Sequence, residues 1–154
     1  MTKEKIKILL VDDEKEFVNT LSERIHMREL GAEIALNGEE ALKIVDNEVP
    51  DVMVLDLRMP GIDGMEVLRR VKKTYPDVQV IILTGHGSDK DEEEAIRLGA
   101  FDYLQKPVEI DTLVQKIRHA YKQKIEASLV AGAFAEAGEF ETAKGFLDKD
   151  KKKK

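Results

Sequence analysis

Five polar side chains follow short apolar runs in this sequence, and together their types are suited to phosphorus chemistry. They are Asp12, Asp13, Asp56, Thr84 and Lys106. Carboxylates that lie close together repel one another unless a cation joins them, and Mg²⁺ prefers oxygen ligands. A carboxylate flanked by a cation, an ammonium group and a hydroxyl can attack phosphorus, because its neighbours offset the incoming negative charge. If the fold gathers these residues, they predict a Mg²⁺ site in which one carboxylate accepts a phosphoryl group.

The elements that must position these residues are five strands alternating with five helices. Apolar runs at residues 6–11, 52–55 and 78–83 are typical of buried strands, and weaker runs at 32–36 and 101–104 add two more. Apolar residues at helical spacing follow each run. This alternation predicts an α/β fold, a doubly wound parallel sheet with helices on both faces. Ligands of such sheets bind at the carboxyl ends of the strands, where all five polar side chains fall.

Helix boundaries can also be predicted. Asn37 resembles a helix cap with a glutamate three residues later, and Ser88 or Asp89 can cap the helix after the fourth strand. Gly31 and Gly99 are predicted to end the first and fourth helices.

Composition excludes several classes of protein. The chain has 154 residues, no cysteine and a formal net charge of −6, which excludes disulfide chemistry and argues against a general nucleic-acid surface. No apolar run approaches the roughly 20 residues that a membrane span needs. The first five residues lack the apolar core of a signal peptide, so we expect a cytoplasmic protein with no membrane partner.

Four motifs give the chain a resemblance to a known family. They are Val11-Asp12-Asp13-Glu14, Leu55-Asp56-Leu57-Arg58-Met59-Pro60-Gly61-Ile62-Asp63-Gly64, Leu83-Thr84-Gly85 and Tyr103-Leu104-Gln105-Lys106-Pro107. With them, residues 5–125 resemble the receiver domain of two-component response regulators. The resemblance implies a five-stranded, flavodoxin-like sheet in the order 2-1-3-4-5. We therefore expect a receiver domain at residues 1–125, followed by a short helical extension and basic tail at 126–154.

The resemblance also implies roles for the site residues. Asp56 would be the phospho-acceptor, and Lys106 would bind the phosphoryl oxygens. Mg²⁺ would be held by Asp12, Asp13, Asp56 and the backbone carbonyl of Arg58. Thr84 would be the switch hydroxyl, and Tyr103 the aromatic side chain that changes rotamer with it. Arg58 and His86 would flank the phosphoryl group and tune its lifetime, and the peptide between Lys106 and Pro107 would be cis.

The implied function is that of a phospho-accepting response regulator in a phosphorelay. The donor would be a sensor histidine kinase or a histidine phosphotransfer protein. Phosphorylation would reshape the face formed by the fourth helix, fifth strand and fifth helix, for an unknown downstream protein or a second copy of the chain. The chain would catalyse only its own phosphorylation and dephosphorylation. Residues 126–154 are too few for an independent DNA-binding domain, so no such output is expected.

The extension has two competing interpretations. The segment around Gly138 faintly resembles one helical hairpin of the tetratricopeptide type, which could also mediate contact with a second copy. A frayed amphipathic tail explains the composition equally well. An ordered hairpin would bury Phe134, Phe140, Phe146 and Leu147.

Two other functions on the same topology fit less well. An aspartate-dependent phosphohydrolase normally has a second Asp two residues after the nucleophile as its general acid, and Arg58 stands there. A cobalamin binder would need a His at that position. A flavin site is poorly supplied, since aromatic residues make up 5% of the chain and Trp is absent. The three scattered histidines indicate no transition-metal site.

Overall fold

The computed structural model describes the backbone of residues 5–136 and the side chains of residues 5–130. Five parallel strands form one sheet in the order β2-β1-β3-β4-β5. The strands are β1 (Ile8–Val11), β2 (Ala32–Ala35), β3 (Val52–Leu55), β4 (Gln79–Thr84) and β5 (Asp102–Gln105). The fold class and strand order predicted from the sequence are confirmed.

A helix follows each strand. The helices are α1 (Lys15–His26), α2 (Gly38–Asn47), α3 (Gly64–Thr74), α4 (Asp89–Arg97) and α5 (Ile110–Glu136). At the carboxyl rim of the sheet, Val11 pairs with Leu55, Leu55 pairs with Ile82, and Thr84 pairs with Gln105. This register brings the residues that follow β1, β3, β4 and β5 to one edge.

The apolar core forms one cluster on each face of the sheet. Leu9, Met53 and Val80 pack with residues of α2, α3 and α4, whereas Leu10 and Ile81 pack with residues of α1 and α5. Alternate strand residues point to opposite faces, so each strand contributes to both clusters. Burying one large aliphatic side chain contributes about 1.5–3 kcal/mol, so the two clusters hold the rim in place.

The helix ends agree with most of the predicted signals. The Asn37 side chain accepts a hydrogen bond from the Glu40 N–H, and Ser88 forms a reciprocal capping box with Asp91. Gly99 has the left-handed backbone of a helix terminator, with φ +106°.

The predicted end of α1 at Gly31 is wrong. The helix ends at His26, and Glu29 (φ 64°) takes the left-handed conformation. The reason is Leu30, which is buried with Ile25. Five residues along a helix turn the side chain by about 140°, so a continued helix would point Leu30 away from the core.

Contacts divide the chain into two units, Met1–Tyr121 and Lys122–Lys154. In the second unit the structure describes α5 as far as Glu136, and Leu129 and Val130 are exposed there. The predicted helical extension is therefore present, and its boundary at residue 125 stays a prediction. The Phe134 side chain, residues 140, 146 and 147, and the turn at 138 lie outside the described residues. Within residues 5–136, the helices lack the combined length and apolar character of a bilayer span.

We expect Glu66 on α3 to titrate at unusually low pH. Its carboxylate accepts hydrogen bonds from the Nε atoms of Arg69 (2.9 Å) and Arg70 (2.7 Å), and these guanidinium groups lower the pKa of Glu66 from 4.5 to about 2. A depressed carboxyl pKa stabilises the fold above pH 4.5 and loses that effect as the pH falls towards 2. Carboxyl ¹³C NMR should show a midpoint near 2. Replacing both arginines with Gln should return it towards 4.5, and an unchanged midpoint would exclude the arginines as the cause.

Candidate functional site

Asp12 and Asp56 extend their strands by one residue into the rim. The Asp12 N–H donates to the Ala35 carbonyl (3.1 Å), and the Asp56 N–H donates to the Val11 carbonyl (2.9 Å). These bonds continue the sheet pattern past the strands and fix where each carboxylate begins. Asp12 and Asp56 are only 4% and 3% exposed.

Three carboxylates converge at this rim. Asp12, Asp13 and Asp56 each offer an oxygen, and these oxygens all lie within 4.8 Å of one another. Opposite ligands of an octahedral Mg²⁺ are about 4 Å apart, so the cluster has the scale of one coordination shell. Asp13 is exposed, which leaves an open side for water ligands and substrate. The donor set and its spacing fit a hard divalent cation.

Lys106 supplies positive charge to the same cluster. Its Nζ lies 2.7 Å from Oδ2 of Asp12, 2.9 Å from Oε1 of Glu14 and 3.7 Å from Oδ2 of Asp56. It also lies 4.2 Å from the centre of the Phe17 ring. The ammonium group thus touches two strand ends and the start of α1.

Backbone contacts also position Lys106. The Lys106 N–H donates to the Thr84 carbonyl (3.0 Å), and the Lys106–Pro107 peptide is cis, as the resemblance implies. Burial alone would lower the pKa of Lys106, but its bonds to Asp12 and Glu14 outweigh burial and raise it. The ammonium group therefore stays charged at neutral pH.

Asp12 is less easily ionised than an exposed aspartate, because its pKa is raised. Burial raises the pKa of Asp12, the bond from Lys106 opposes that rise, and the charge of Asp56 adds to it. At the exposed edge the balance is reversed, since the bond from Lys106 lowers the pKa of Glu14. The buried carboxylates thus carry repulsion that a bound cation would relieve.

Thr84 lies at the end of β4 and is fully buried. Its Oγ1 accepts a hydrogen bond from the His86 N–H (3.3 Å). The structure therefore places the Thr84 hydroxyl beside the loop that leads to α4, next along the rim from Asp56.

Arg58 contacts both the residue that follows β3 and a residue of α4. Its N–H lies 3.5 Å from Oδ1 of Asp56, and its guanidinium group lies 3.8 Å from Oδ2 of Asp91. The role of the Arg58 carbonyl in holding a metal stays a prediction. The side chain is mostly exposed and points towards a helix, so it is poorly placed as a general acid.

Gly64 lets the chain pass close behind the acceptor. Its N–H donates to the Leu57 carbonyl (2.9 Å). A Cβ at position 64 would lie 2.1 Å from the Asp56 carbonyl oxygen and 2.7 Å from the Leu57 Cα. The first turn of α3 therefore packs directly on the backbone that carries Asp56.

Tyr103 on β5 points inward and is 8% exposed. Its hydroxyl is buried, and no hydrogen-bond partner for it lies among the described residues. Burial raises the pKa of Tyr103, and the nearby carboxylates of Asp91 and Glu92 raise it further.

Sequence reasoning missed four residues of this site. Glu14 and Phe17 contact Lys106, whereas Gly64 and Gly87 leave room for other groups. Glu14 follows the Asp pair directly, which was a usable signal, but its bond to Lys106 spans 92 positions. Nothing local in the sequence indicates the two close approaches at the glycines.

Comparisons with known proteins agree with this geometry. The sequence profile of the response regulator receiver domain matches residues 8–118. The chain is 37% identical over 113 residues to the transcriptional regulatory protein TrcR of Mycobacterium tuberculosis, covering 73% of this chain and 44% of that protein. It is 39% identical over 112 residues to CpxR of Escherichia coli, covering 73% and 47%.

Solved structures give the same result for the fold. A response regulator receiver domain protein from Clostridium thermocellum superposes with a TM-score of 0.75 at 35% identity. That match covers 79% of this chain and 98% of the other. By contrast, the chain spans less than half the length of the curated relatives named above.

Proposed function

This chain belongs to the response regulator receiver domain family, and on that premise we propose that it accepts a phosphoryl group on Asp56 within a two-component phosphorelay. Receiver domains of this kind interact with histidine kinases. The proposed donor is therefore the phosphohistidine of a sensor kinase or of a histidine phosphotransfer protein.

One observation carries this proposal: Asp56 is buried among groups that suit phosphoryl transfer. Two further carboxylates offer oxygens within 4.8 Å of it, and the Lys106 Nζ lies 3.7 Å from its Oδ2. Asp12, Asp13, Asp56 and the Arg58 carbonyl would hold Mg²⁺. When bound, Mg²⁺ would neutralise the charge that develops on the phosphoryl oxygens.

Asp56, Lys106 and Gly64 would each have a separate role in the transfer. An Oδ atom of Asp56 attacks phosphorus, the new O–P bond forms, and the donor's P–N bond breaks, leaving its electron pair on the imidazole. Lys106 bonds the phosphoryl oxygens, since its ammonium group already lies beside Asp56. The Asp56 backbone stays in place because Gly64 packs against its carbonyl.

The phosphorylated state would act through a surface. Phosphorylation adds up to about two negative charges and several strong acceptors at Asp56. Thr84 would then donate its hydroxyl to a phosphoryl oxygen, which would favour the inward position that Tyr103 has in the structure over an outward rotamer. The face of α4, β5 and α5 would shift between two states, each favoured by a different charge at Asp56.

The alternatives are weaker. A phosphohydrolase would need a general acid two residues after Asp56, and the guanidinium of Arg58 is directed to Asp91 instead. Receiver domains are not enzymes in the usual sense. We propose that this one catalyses only the formation and loss of its own acyl phosphate.

The downstream response that this chain controls is also a proposal. TrcR and CpxR are named transcriptional regulatory proteins, and each extends well beyond the matched region. The predictions that this chain carries no DNA-binding output, binds no nucleic acid and is cytoplasmic stay predictions. So does a homodimer formed through the face of α4, β5 and α5 or through the C-terminal extension.

Acetyl phosphate and Mg²⁺ test the proposal directly. The protein should gain the mass of one phosphoryl group, and the gain should disappear when the metal is chelated. Borohydride reduces an aspartyl phosphate to homoserine, so peptide sequencing should find homoserine at position 56. Homoserine at position 12 or 13, or no labelling at all, would overturn the assignment.

We expect Thr84→Ala to retain labelling of Asp56 but to abolish the response of Tyr103 to that labelling. Removing the hydroxyl removes the group proposed to respond to the phosphoryl oxygens, whereas the acceptor and its metal ligands remain. The measurement is the change in the Tyr103 ring NMR signal on adding beryllofluoride, a phosphoryl mimic. That change should be lost in Thr84→Ala and kept in Thr84→Ser. A normal response in Thr84→Ala would exclude Thr84 from the switch.

A further inference from the structure

The loop between β4 and α4 contains a glycine with an unusual neighbour. A Cβ at Gly87 would lie 1.5 Å from the Tyr103 hydroxyl oxygen and 2.8 Å from its Cζ. It would also lie 3.0 Å from Cγ2 of Thr84. The tip of the phenol therefore occupies the space that a side chain at position 87 would fill.

The backbone of Gly87 gives no reason for a glycine. Its φ is not left-handed, in contrast to Gly61 (φ 79°) and Gly99 (φ 106°). Its φ therefore lies outside the region that L side chains rarely adopt. The atoms nearest to a Cβ at position 87 are the ends of the Tyr103 and Thr84 side chains. Side-chain packing, and not backbone conformation, therefore favours glycine at this position.

We propose that Gly87 is a positioning residue for Tyr103. Because glycine has no side chain, the phenol of Tyr103 can occupy the buried space beside Thr84. Any larger residue at position 87 displaces the Tyr103 ring from that buried space. Position 87 thereby decides whether Tyr103 has an inward state at all.

The buried hydroxyl supports this assignment. A buried hydroxyl without a partner is costly, and no partner for the Tyr103 hydroxyl lies among the described residues. This cost reduces the free-energy advantage of the inward position over an outward one. A side chain at position 87 should then favour the outward position, because its Cβ would lie 1.5 Å from the hydroxyl oxygen of the inward ring.

The consequence for signalling rests on the proposed function, whereas the placement of the ring does not. If phosphorylation acts by favouring the inward position of Tyr103, a side chain at position 87 should uncouple the ring from phosphorylation. Asp56 should still be phosphorylated, since the three atoms nearest to a Cβ at position 87 belong to Tyr103 and Thr84 and not to the carboxylates or Lys106.

The test compares Gly87→Ala with Gly85→Ala from the same loop. A Cβ at position 85 would meet only Lys106 side-chain atoms, both at an ordinary 3.8 Å. The chain has three tyrosines, so ¹³C-labelled tyrosine rings give a simple spectrum, and Tyr103→Phe assigns the signal of interest. A soluble paramagnetic agent broadens exposed rings, and a pH titration gives the phenol midpoint.

In the wild type and in Gly85→Ala, with no phosphoryl mimic added, the Tyr103 ring should be protected, since it is 8% exposed in the structure, and its phenol pKa should be raised. In Gly87→Ala the ring should be broadened by the agent and its midpoint should return towards 10.0. A protected ring with a raised midpoint in Gly87→Ala would overturn the proposal, since the loop would then have moved instead.

Two further measurements keep the outcomes separate. Acetyl phosphate labelling of Asp56 tests the proposed function, and its failure in the wild type leaves the result for the ring intact. If Gly87→Ala does not fold, the double variant Gly87→Ala/Tyr103→Ala decides. Recovery of the fold there supports a clash with the ring, and failure in both backgrounds overturns the proposal.

Discussion

Asp56→Asn should abolish labelling by acetyl phosphate and Mg²⁺ completely. An amide oxygen is a poor nucleophile, so the attacking group itself is lost while the side chain keeps its size. Asp56 is 3% exposed and closely surrounded, so an isosteric change should preserve the packing of the rim. Intact-mass spectrometry should show full phosphoryl gain in the wild type and none in the variant.

Asp77→Asn is a matched control for this result. Asp77 lies in the exposed turn between α3 and β4, away from the three clustered carboxylates. Its labelling should equal that of the wild type. Persistent labelling of Asp56→Asn would mean that Asp12 or Asp13 accepts phosphorus, and Asp56 would then be only a cation ligand.

Gly64→Ala should destabilise the protein and impair the acceptor together. The added Cβ would lie 2.1 Å from the Asp56 carbonyl oxygen and 2.7 Å from the Leu57 Cα. These are backbone atoms of the segment that directly follows β3, and they cannot turn aside as a flexible side chain can. Overpacking of this kind typically costs about 1–3 kcal/mol. We therefore expect a lower urea midpoint and slower labelling of Asp56.

Gly31→Ala provides the comparison for Gly64→Ala. A Cβ at position 31 has no neighbour within 4 Å, and its φ is not left-handed. The same chemical change should therefore leave both the urea midpoint and the labelling rate close to those of the wild type. Equal stability of the two variants would show that the contact at Gly64 relaxes freely and does not hold Asp56.

The glycines at positions 64 and 87 impose different demands, although each has a close neighbour. At Gly64 the obstacle is backbone, so the expected response is a loss of stability. At Gly87 the obstacle is the end of a side chain, so the expected response is movement of the Tyr103 ring. A stability measurement alone would rank only the first as important.

The sequence by itself determined the sheet, its helices and the residues delivered to the rim. Apolar periodicity and strand-end position are local properties, and they located the carboxylates of Asp12 and Asp56 correctly. Local signals also located the caps at Asn37 and Ser88. They failed at Gly31 because burial of Leu30, a tertiary requirement, ends α1 early.

Only the tertiary structure decided how the rim residues meet. Lys106 bonds Asp12 across 94 positions and Glu14 across 92, and no spacing rule reaches that far. The close approaches at Gly64 and Gly87 were equally hidden, since they depend on which atoms of other segments occupy the space that a Cβ would need. Short-range patterns fix which face a residue occupies, whereas contact distances follow from the packing of the whole sheet and its helices.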